Sequence, residues 1–149
     1  MKRAPAGDTA ELIDLGNVTA AGLHAAAAEM RGQPGVVAVI PGHSSLYVIR
    51  GTAEAAGAPQ AVREPREHHL RVAFDGPDLP ELLSRISREE FLARVATLRL
   101  TARYLGFRGG FAYLDGWPDE WAMQRRPTSR PVPRGTFAVA GNVAGFYPI

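Results

Sequence analysis

The amino-acid sequence predicts an α+β protein, with a small N-terminal α+β domain followed by a β-rich barrel or sandwich. Three observations predict this class. A helical spacing at residues 19–31 precedes an apolar strand pattern, short apolar runs between glycines fill the last third of the chain, and a stretch rich in Ala, Gly, Pro and charge lies at 52–67. That stretch has the composition of a linker. We therefore expect domains at 1–67, linker included, and 68–149.

The N-terminal part has a β-α-β-β pattern. Residues 8–15 alternate as a strand does, and Thr19 is suited to cap a helix that runs to about Arg31. The apolar face of that helix comprises Leu23, Ala26, Ala27 and Met30. Residues 36–40 form a strongly apolar strand, and residues 45–50 return after a Pro-Gly turn. Lys2 lies in an N-terminus that we expect to fray.

The second part opens with a predicted strand at residues 70–74. Asp78 and Glu81 have the spacing of a capping box, with Pro80 in the first helical turn. Ser87 and Glu90 repeat the signal for a helix through about Val95. Short β-like runs follow at 98–105, 111–114, 136–140 and 145–148.

Composition excludes several classes of function. The 149 residues include no cysteine, so disulfides and thiolate chemistry are absent and a cytoplasmic location is expected. Lys2 is the only lysine, and the four histidines are not spaced as metal ligands. The formal charge of +2 does not indicate nucleic acid, and no apolar run of about 18 residues indicates a membrane span. No metal or cofactor is expected.

Residues 106–114, Gly-Phe-Arg-Gly-Gly-Phe-Ala-Tyr-Leu, are the first candidate site. Glycines allow a positive φ and a close approach of ligand to backbone. The flanking aromatic side chains are suited to line a pocket. The alternative is a glycine-rich hairpin whose aromatic side chains belong to the core.

Residues 124–134 are the second candidate. Four arginines and three prolines predict a stiff, extended, cationic segment. Because guanidinium groups hold carboxylates and phosphates through two hydrogen bonds, we expect an anionic ligand or an acidic partner. The alternative is a solvated loop whose arginines pair with the nearby acids Asp115, Asp119 and Glu120.

Taken in order, these segments resemble the family that comprises KipI, allophanate hydrolase subunit 1 and the B subunit of 5-oxoprolinase. The opening strand of that family is matched by residues 7–10 and 15–16. The other matching blocks are 35–41 with 45–48 (GV-x-x-VVP…SLLV), 74–79 (Y-D-G-x-D-L), 106–114 (GF-x-PGF-x-YL), 125–126, 132–136, 140–141 and 145–148 (PRR…VPAGS…AG…G-I-YP).

The resemblance implies a cyclophilin-like β-barrel after the α+β domain. It also implies work with a sister subunit, in ATP-dependent opening of 5-oxoproline, in allophanate hydrolysis or in inhibition of a histidine kinase. The family continues beyond the position of Ile149, so we expect a C-terminally shortened barrel. The chain departs from the family's pattern at five sites: Arg94 near its histidine, Gly109 at a proline, Gln124-Arg125 and Thr128-Ser129 at its Pro-Arg pairs, and Val143-Ala144 at a Gln-Thr pair.

These departures replace polar groups that a hydrolytic site needs. Three functions stay open: a subunit of an amide- or lactam-hydrolysing complex, a stand-alone cyclase of a biosynthetic pathway, and a non-catalytic KipI-like regulatory module. Catalytic residues are not assigned. The predicted ligand-binding residues are Phe107, Gly109, Gly110, Phe111, Tyr113, Arg125, Arg126 and Tyr147. Together with Phe146, the aromatic members suit a rather apolar small molecule, which the arginines would hold if it is anionic.

An unfinished barrel would leave an edge strand, and residues 138–147 carry no charge that would discourage pairing with another chain. We therefore expect an oligomer, either a homodimer or a complex in which a sister subunit completes the barrel. The alternative is a monomer whose N-terminal domain covers the edge.

Overall fold

The computed structural model describes residues 1–52, 64–128 and 130–148. The chain divides into two compact units. The first comprises Met1–Arg66 with Arg103–Gly106, and the second comprises Glu67–Ala102 with Phe107–Ile149. Two four-stranded antiparallel sheets and a few helices make the protein α+β, as predicted. Most of the predicted linker, residues 53–63, lies outside the described residues.

The described elements follow each other along the chain as β1 (Lys2–Pro5), β2 (Ala10–Asp14), α1 (Ala20–Arg31), β3 (Val36–Pro41), β4 (Ser45–Arg50), α2 (Leu79–Leu83), α3 (Arg88–Val95), β5 (Thr101–Leu105), β6 (Ala112–Asp115), a 3-10 helix (Asp119–Trp121), β7 (Phe137–Ala140) and β8 (Val143–Phe146).

The first sheet has the strand order β1-β2-β4-β3. The hydroxyl of Thr19 accepts a hydrogen bond from the backbone N–H of Gly22, so α1 begins as predicted. Leu23, Ala27 and Met30 of α1 are buried, and Ala26 packs beside them. They pack with the buried strand residues Ile13, Val36, Val39, Leu46 and Val48. The core of this unit is therefore aliphatic.

The second sheet has the strand order β5-β6-β8-β7, and β7 pairs with β8 over Phe137↔Phe146 to Ala140↔Val143. The second unit, which contains β6, β7 and β8, has a core centred on aromatic side chains. Phe91 of α3 lies against Trp121 with ring centroids 5.2 Å apart, and Trp117 lies 5.5 Å from Trp121. Ser87 caps α3 by accepting from the N–H of Glu90, as predicted. Closure of this sheet into a barrel stays a prediction.

Two predictions of local structure were wrong. Lys2 does not lie in a frayed terminus, because β1 pairs with β2 and places Lys2 opposite Asp14. Residues 70–74 belong to no strand. Val72 and Phe74 are nevertheless more buried than their neighbours, and Phe74 packs against the aromatic core. The alternation of apolar and polar residues in this segment therefore reflects the partial burial of one face, without the hydrogen bonds of a β-ladder.

The predicted capping box at Asp78 was also wrong. Asp78 stands at the N-cap position of α2, but its backbone is helical (φ −94°, ψ −7°) and its side chain makes no capping hydrogen bond. A capping residue needs an extended backbone. The Asp78 carboxylate accepts hydrogen bonds from Arg126 and Arg130 instead.

Candidate functional site

Four predicted aromatic residues come together in the second unit. The ring of Phe111 lies 5.6 Å from Phe107, 4.9 Å from Tyr113 and 5.3 Å from Tyr147, measured between centroids. Phe107 also lies 6.0 Å from Tyr147. All of these contacts are edge-to-face, which is a favourable geometry for aromatic pairs. We refer to Phe107, Phe111, Tyr113 and Tyr147 as the aromatic cluster.

The members of the aromatic cluster differ in exposure. Phe111 is buried and Phe107 is 63% exposed, while Tyr113 and Tyr147 are intermediate. Phe111 reaches its position because Gly145 of β8 leaves room for the ring. A Cβ atom at Gly145 would lie 2.6 Å from Cζ of Phe111. The cluster thus has a buried base at Phe111 and an exposed edge at Phe107.

The loop before β6 holds its backbone in an unusual conformation. Phe107 has φ of 64°, the only positive φ of a non-glycine residue among the described residues, and Gly110 has φ of 81°. A phenylalanine in the left-handed region is strained. Arg108 places its guanidinium carbon 5.2 Å from the centre of the Phe107 ring. Gly109, also predicted as a site residue, is exposed in this loop.

The cationic segment, residues 124–134, is anchored at both ends. Met123 and Gly141 exchange two backbone hydrogen bonds, of 3.0 and 2.7 Å. At the other end, the N–H of Gly135 donates to the carbonyl of Tyr147 at 2.7 Å, and the N–H of Tyr147 donates to the carbonyl of Thr136 at 3.0 Å. The segment therefore ends beside a member of the aromatic cluster.

The two predicted anion-binding arginines differ in their contacts. Arg126 donates to Oδ1 of Asp78, while Arg130, which was not predicted as a site residue, donates to Oδ2. Arg125 is exposed and has no hydrogen bond or ion pair to the described residues. Within the described part of the chain, no hydrogen bond, ion pair or ring contact joins Arg125 or Arg126 to the aromatic cluster.

Two surface grooves lie apart from the predicted site residues. One, of about 420 Å³, runs along β1 and β2 and is lined by Arg3, Glu11 and Arg50 among others. The other, of about 320 Å³, lies at α2 and is lined by Phe74, Leu79 and Leu83 with charged groups beside them. The two candidate segments of the sequence, residues 106–114 and 124–134, line neither groove.

No group of three His, Asp or Glu side chains that could hold a metal ion exists within residues 1–52, 64–128 and 130–148. Over the same ranges, no helix has the length and apolar character that crossing a membrane requires.

Comparison with known families decides the membership of this chain. The model of the carboxyltransferase domain, subdomain C and D, matches residues 1–149. The chain belongs to this family. A relative, the B subunit of 5-oxoprolinase from Escherichia coli O157:H7, is 26% identical over 135 residues, which are 78% of this chain and 62% of the relative. The predicted membership of the family of KipI, allophanate hydrolase subunit 1 and the 5-oxoprolinase B subunit is therefore confirmed, for a diverged member.

Solved structures similar to this chain include the protein TTHA0988. The protein TTHA0988 in one crystal form has a TM-score of 0.70 and 28% identity, covering 94% of this chain and 32% of that protein. A second crystal form gives a TM-score of 0.67 at the same identity, with 95% and 32% covered. The chain thus spans less than two thirds of the curated relative and about a third of TTHA0988.

Arg94, which the resemblance placed near a histidine of the family, takes part in an ion pair. Arg94 donates to Glu120, lies 4.0 Å from Glu90 on its own helix, and covers the ring of Trp121 at 4.4 Å. The hydrogen bond from Arg94 lowers the pKa of the Glu120 carboxyl. Asp119 accepts from Asn142 at 2.7 Å. Among the described residues, these partners differ from those of the alternative interpretation, in which Asp119 and Glu120 pair with the arginines of the cationic segment.

Val143 and Ala144, which the resemblance placed at a Gln-Thr pair of the family, lie in β8. Ala144 is 2% exposed and lies opposite Leu114 of β6, while Val143 pairs with Ala140. These positions now contribute apolar packing. Neither position therefore offers a polar side chain to a ligand.

Proposed function

We propose that this chain is the small-molecule-binding component of an amide- or lactam-hydrolysing complex. The ligand would lie against the aromatic cluster, within a cyclophilin-like β-barrel formed by residues 68–149. Family membership and the similarity to the B subunit of a 5-oxoprolinase support the reaction class. Because the chain covers 62% of that relative, the activity of the whole relative is transferred here as part of the proposal.

The exposed edge of the aromatic cluster is the observation that carries the proposal. Phe107 combines a strained backbone with a side chain that is 63% exposed. Most of this ring gains no burial on folding, although its backbone conformation is costly, whereas a ligand that covers the ring would bury it. Gly109, Gly110 and the neighbouring rings would form the wall around such a ligand.

A partner chain is part of the proposal. Strand β7 lies at one end of the second sheet among the described residues, and residues 138–147 carry no charge. An edge strand without charges is suited to pair with another chain. We propose a sister subunit as that partner, since the relative is named as a subunit. A homodimer is the other arrangement that this edge allows.

A second function, a non-catalytic KipI-like regulatory module, is favoured by one observation. Arg94 with Glu120 occupies the position near the family's histidine, and Val143 with Ala144 replaces its Gln-Thr pair. A pocket without a positioned acid or base binds without reacting. The cyclase alternative and the cytoplasmic location stay predictions.

Titration of the purified chain with 5-oxoproline, a lactam that carries a carboxylate, tests the binding claim. We expect Phe107→Ala and Tyr147→Ala each to weaken binding about tenfold, equivalent to about 1.4 kcal/mol. Leu92→Ala is the matched control, because Leu92 is also a large exposed apolar side chain of the second unit and lies outside the cluster. Isothermal titration calorimetry measures all three.

Unchanged affinity in both aromatic variants would place the ligand elsewhere, and absence of 5-oxoproline binding by the chain would refute the lactam class. A separate assay distinguishes the two functions. ATP-dependent hydrolysis of 5-oxoproline on addition of a purified sister subunit supports the complex. Binding without any turnover in that mixture supports the regulatory module.

A further inference from the structure

We propose that Arg126 and Arg130 form a carboxylate-binding site, and that Asp78 occupies this site in the ligand-free protein as an internal competitor. The inference deepens the proposed function, on which it rests for the identity of the ligand. It adds Arg130 and Asp78 to the residues that sequence analysis assigned. It also names the anionic group that the ligand carries.

The contacts define what the site accepts. The Nη2 of Arg126 donates to one oxygen of Asp78, and the Nη2 of Arg130 donates to the other. A carboxylate thus bridges the two guanidinium groups, with one oxygen for each. Any ligand carboxylate of the same shape can take the same two donors. The residue that already fills the site is therefore a template for the chemical class of its ligand.

The site is open to exchange. The side chains of Arg126 and Arg130 are 53% and 48% exposed, and that of Asp78 is 34% exposed. Each guanidinium group has five N–H donors, of which Asp78 uses one. With two positive charges and one negative charge, the three side chains have a net charge of +1. An incoming anion is therefore attracted before Asp78 leaves.

Asp78 has a second role available when it leaves the arginines. Helices α1 and α3 have side-chain caps, and their capping residues have an extended backbone: ψ is 161° at Thr19 and 148° at Ser87. Asp78 occupies the same position at α2 with ψ of −7° and leaves the cap unmade. Aspartate is among the best N-cap residues. Rotation of its backbone to the extended region would exchange the arginine contacts for a capping hydrogen bond.

The arginines stay in place without Asp78 because of the loop that carries them. The cationic segment is tied by backbone hydrogen bonds at Met123 and at Gly135. Pro127, Pro131 and Pro133 each fix one backbone dihedral within it. These backbone contacts do not involve Asp78, so the departure of its side chain would leave both arginines available to a ligand. Its Gly135 end adjoins Tyr147, a member of the proposed ligand wall.

Titration with acetate at constant ionic strength, followed by NMR of the arginine side-chain N–H groups, tests the inference. We expect acetate to perturb Arg126 and Arg130 and Asp78→Asn to tighten its binding about tenfold, because the competitor is removed. Asp75→Asn is the matched control: it removes the same charge three residues away, where no arginine contact is present among the described residues. It should tighten binding by less than twofold.

Removal of the donors gives the opposite effect. Arg126→Ala and Arg130→Ala should each weaken acetate binding at least tenfold, while Arg134→Ala, in the same segment and without an ion pair to the described residues, should leave it within twofold. Circular dichroism checks that each variant is folded.

Three results would overturn the inference: equal effects of the Asp78 and Asp75 variants, weaker binding in Asp78→Asn, or equal losses in the Arg126, Arg130 and Arg134 variants. Acetate has no ring for the aromatic cluster to bind. Its titration can therefore succeed while 5-oxoproline fails to bind, in which case the carboxylate site stands and the lactam proposal falls.

Discussion

Each unit of the protein places one carboxylate between two arginines, and the two arrangements differ in what holds them. In the first unit, Glu11 accepts two hydrogen bonds from Arg50, of 2.9 and 2.6 Å, and lies 3.6 Å from Arg3. In the second, Asp78 accepts one from each of Arg126 and Arg130. The first group lies on a sheet, and the second joins a helix start to a loop.

The backbone explains the difference. Glu11 lies in β2, where the ladders place it opposite Pro5 on one side and Val48 on the other. The side chain of Glu11 is 19% exposed. The backbone of Glu11 is held by strand pairing on both sides. Asp78 belongs to no ladder and is the more exposed of the two. We infer that Glu11 stabilises the sheet through its arginine contacts, whereas Asp78 can exchange its arginine contacts with a ligand.

The largest expected effect sharpens this contrast. Glu11→Gln should lower the free energy of unfolding by about 1–2 kcal/mol, because it weakens charged hydrogen bonds on a partly buried strand. Asp78→Asn should lower it by about 0.5 kcal/mol or less, since its partners are half exposed. Urea unfolding at pH 7 measures both. Equal losses in the two variants would remove the distinction between a structural and an exchangeable acid.

The helix starts give the next effect. Thr19→Ala and Ser87→Ala each delete a capping hydrogen bond and should cost about 1 kcal/mol. Asp78→Ala deletes no such bond and should cost less than either. Thermal unfolding of the three variants checks the order. A loss at Asp78 as large as at Thr19 would mean that Asp78 caps α2 in solution.

The smallest effect is a pH dependence at Glu120. Because Arg94 lowers the pKa of this carboxyl in the folded state, its contribution to stability is fully present above its ordinary pKa of 4.5, which holds in the unfolded state. The contribution is lost as the pH falls through the lower folded-state value. Glu120→Gln should therefore reduce the melting temperature slightly at pH 7 and by less at pH 3. A larger reduction at pH 3 would contradict the assigned cause.

Local signals predicted much of the fold. The caps at Thr19 and Ser87 and the ends of α1, α3 and β4 agree with the residues predicted, because a capping hydrogen bond and an apolar face are local in sequence. Strand β1 carried no alternation, since its position depends on pairing with β2. Residues 70–74 had the alternation and lack a ladder, because burial alone does not require a strand partner.

The candidate site was predicted in part. The motif around Gly106 indicated Phe107, Phe111 and Tyr113, and the structure brings these together with Tyr147. The sequence placed Arg130 in the cationic segment, but Arg130 was not among the predicted ligand-binding residues, and nothing in the sequence indicated Asp78 as its partner. Their contacts join positions 52 residues apart, and the capping-box spacing at Asp78 favoured a different role. The cationic segment contains four arginines and no acid. This composition was the one signal in the sequence that its arginines bind a carboxylate from elsewhere in the chain.

A crystal structure of the chain soaked with 5-oxoproline or acetate tests the central claim most directly. The account predicts a ligand carboxylate between Arg126 and Arg130 in place of Asp78, an extended backbone at Asp78, and an unchanged contact between Glu11 and Arg50. Asp78 still bridging both arginines, with the ligand bound elsewhere at full occupancy, would contradict it.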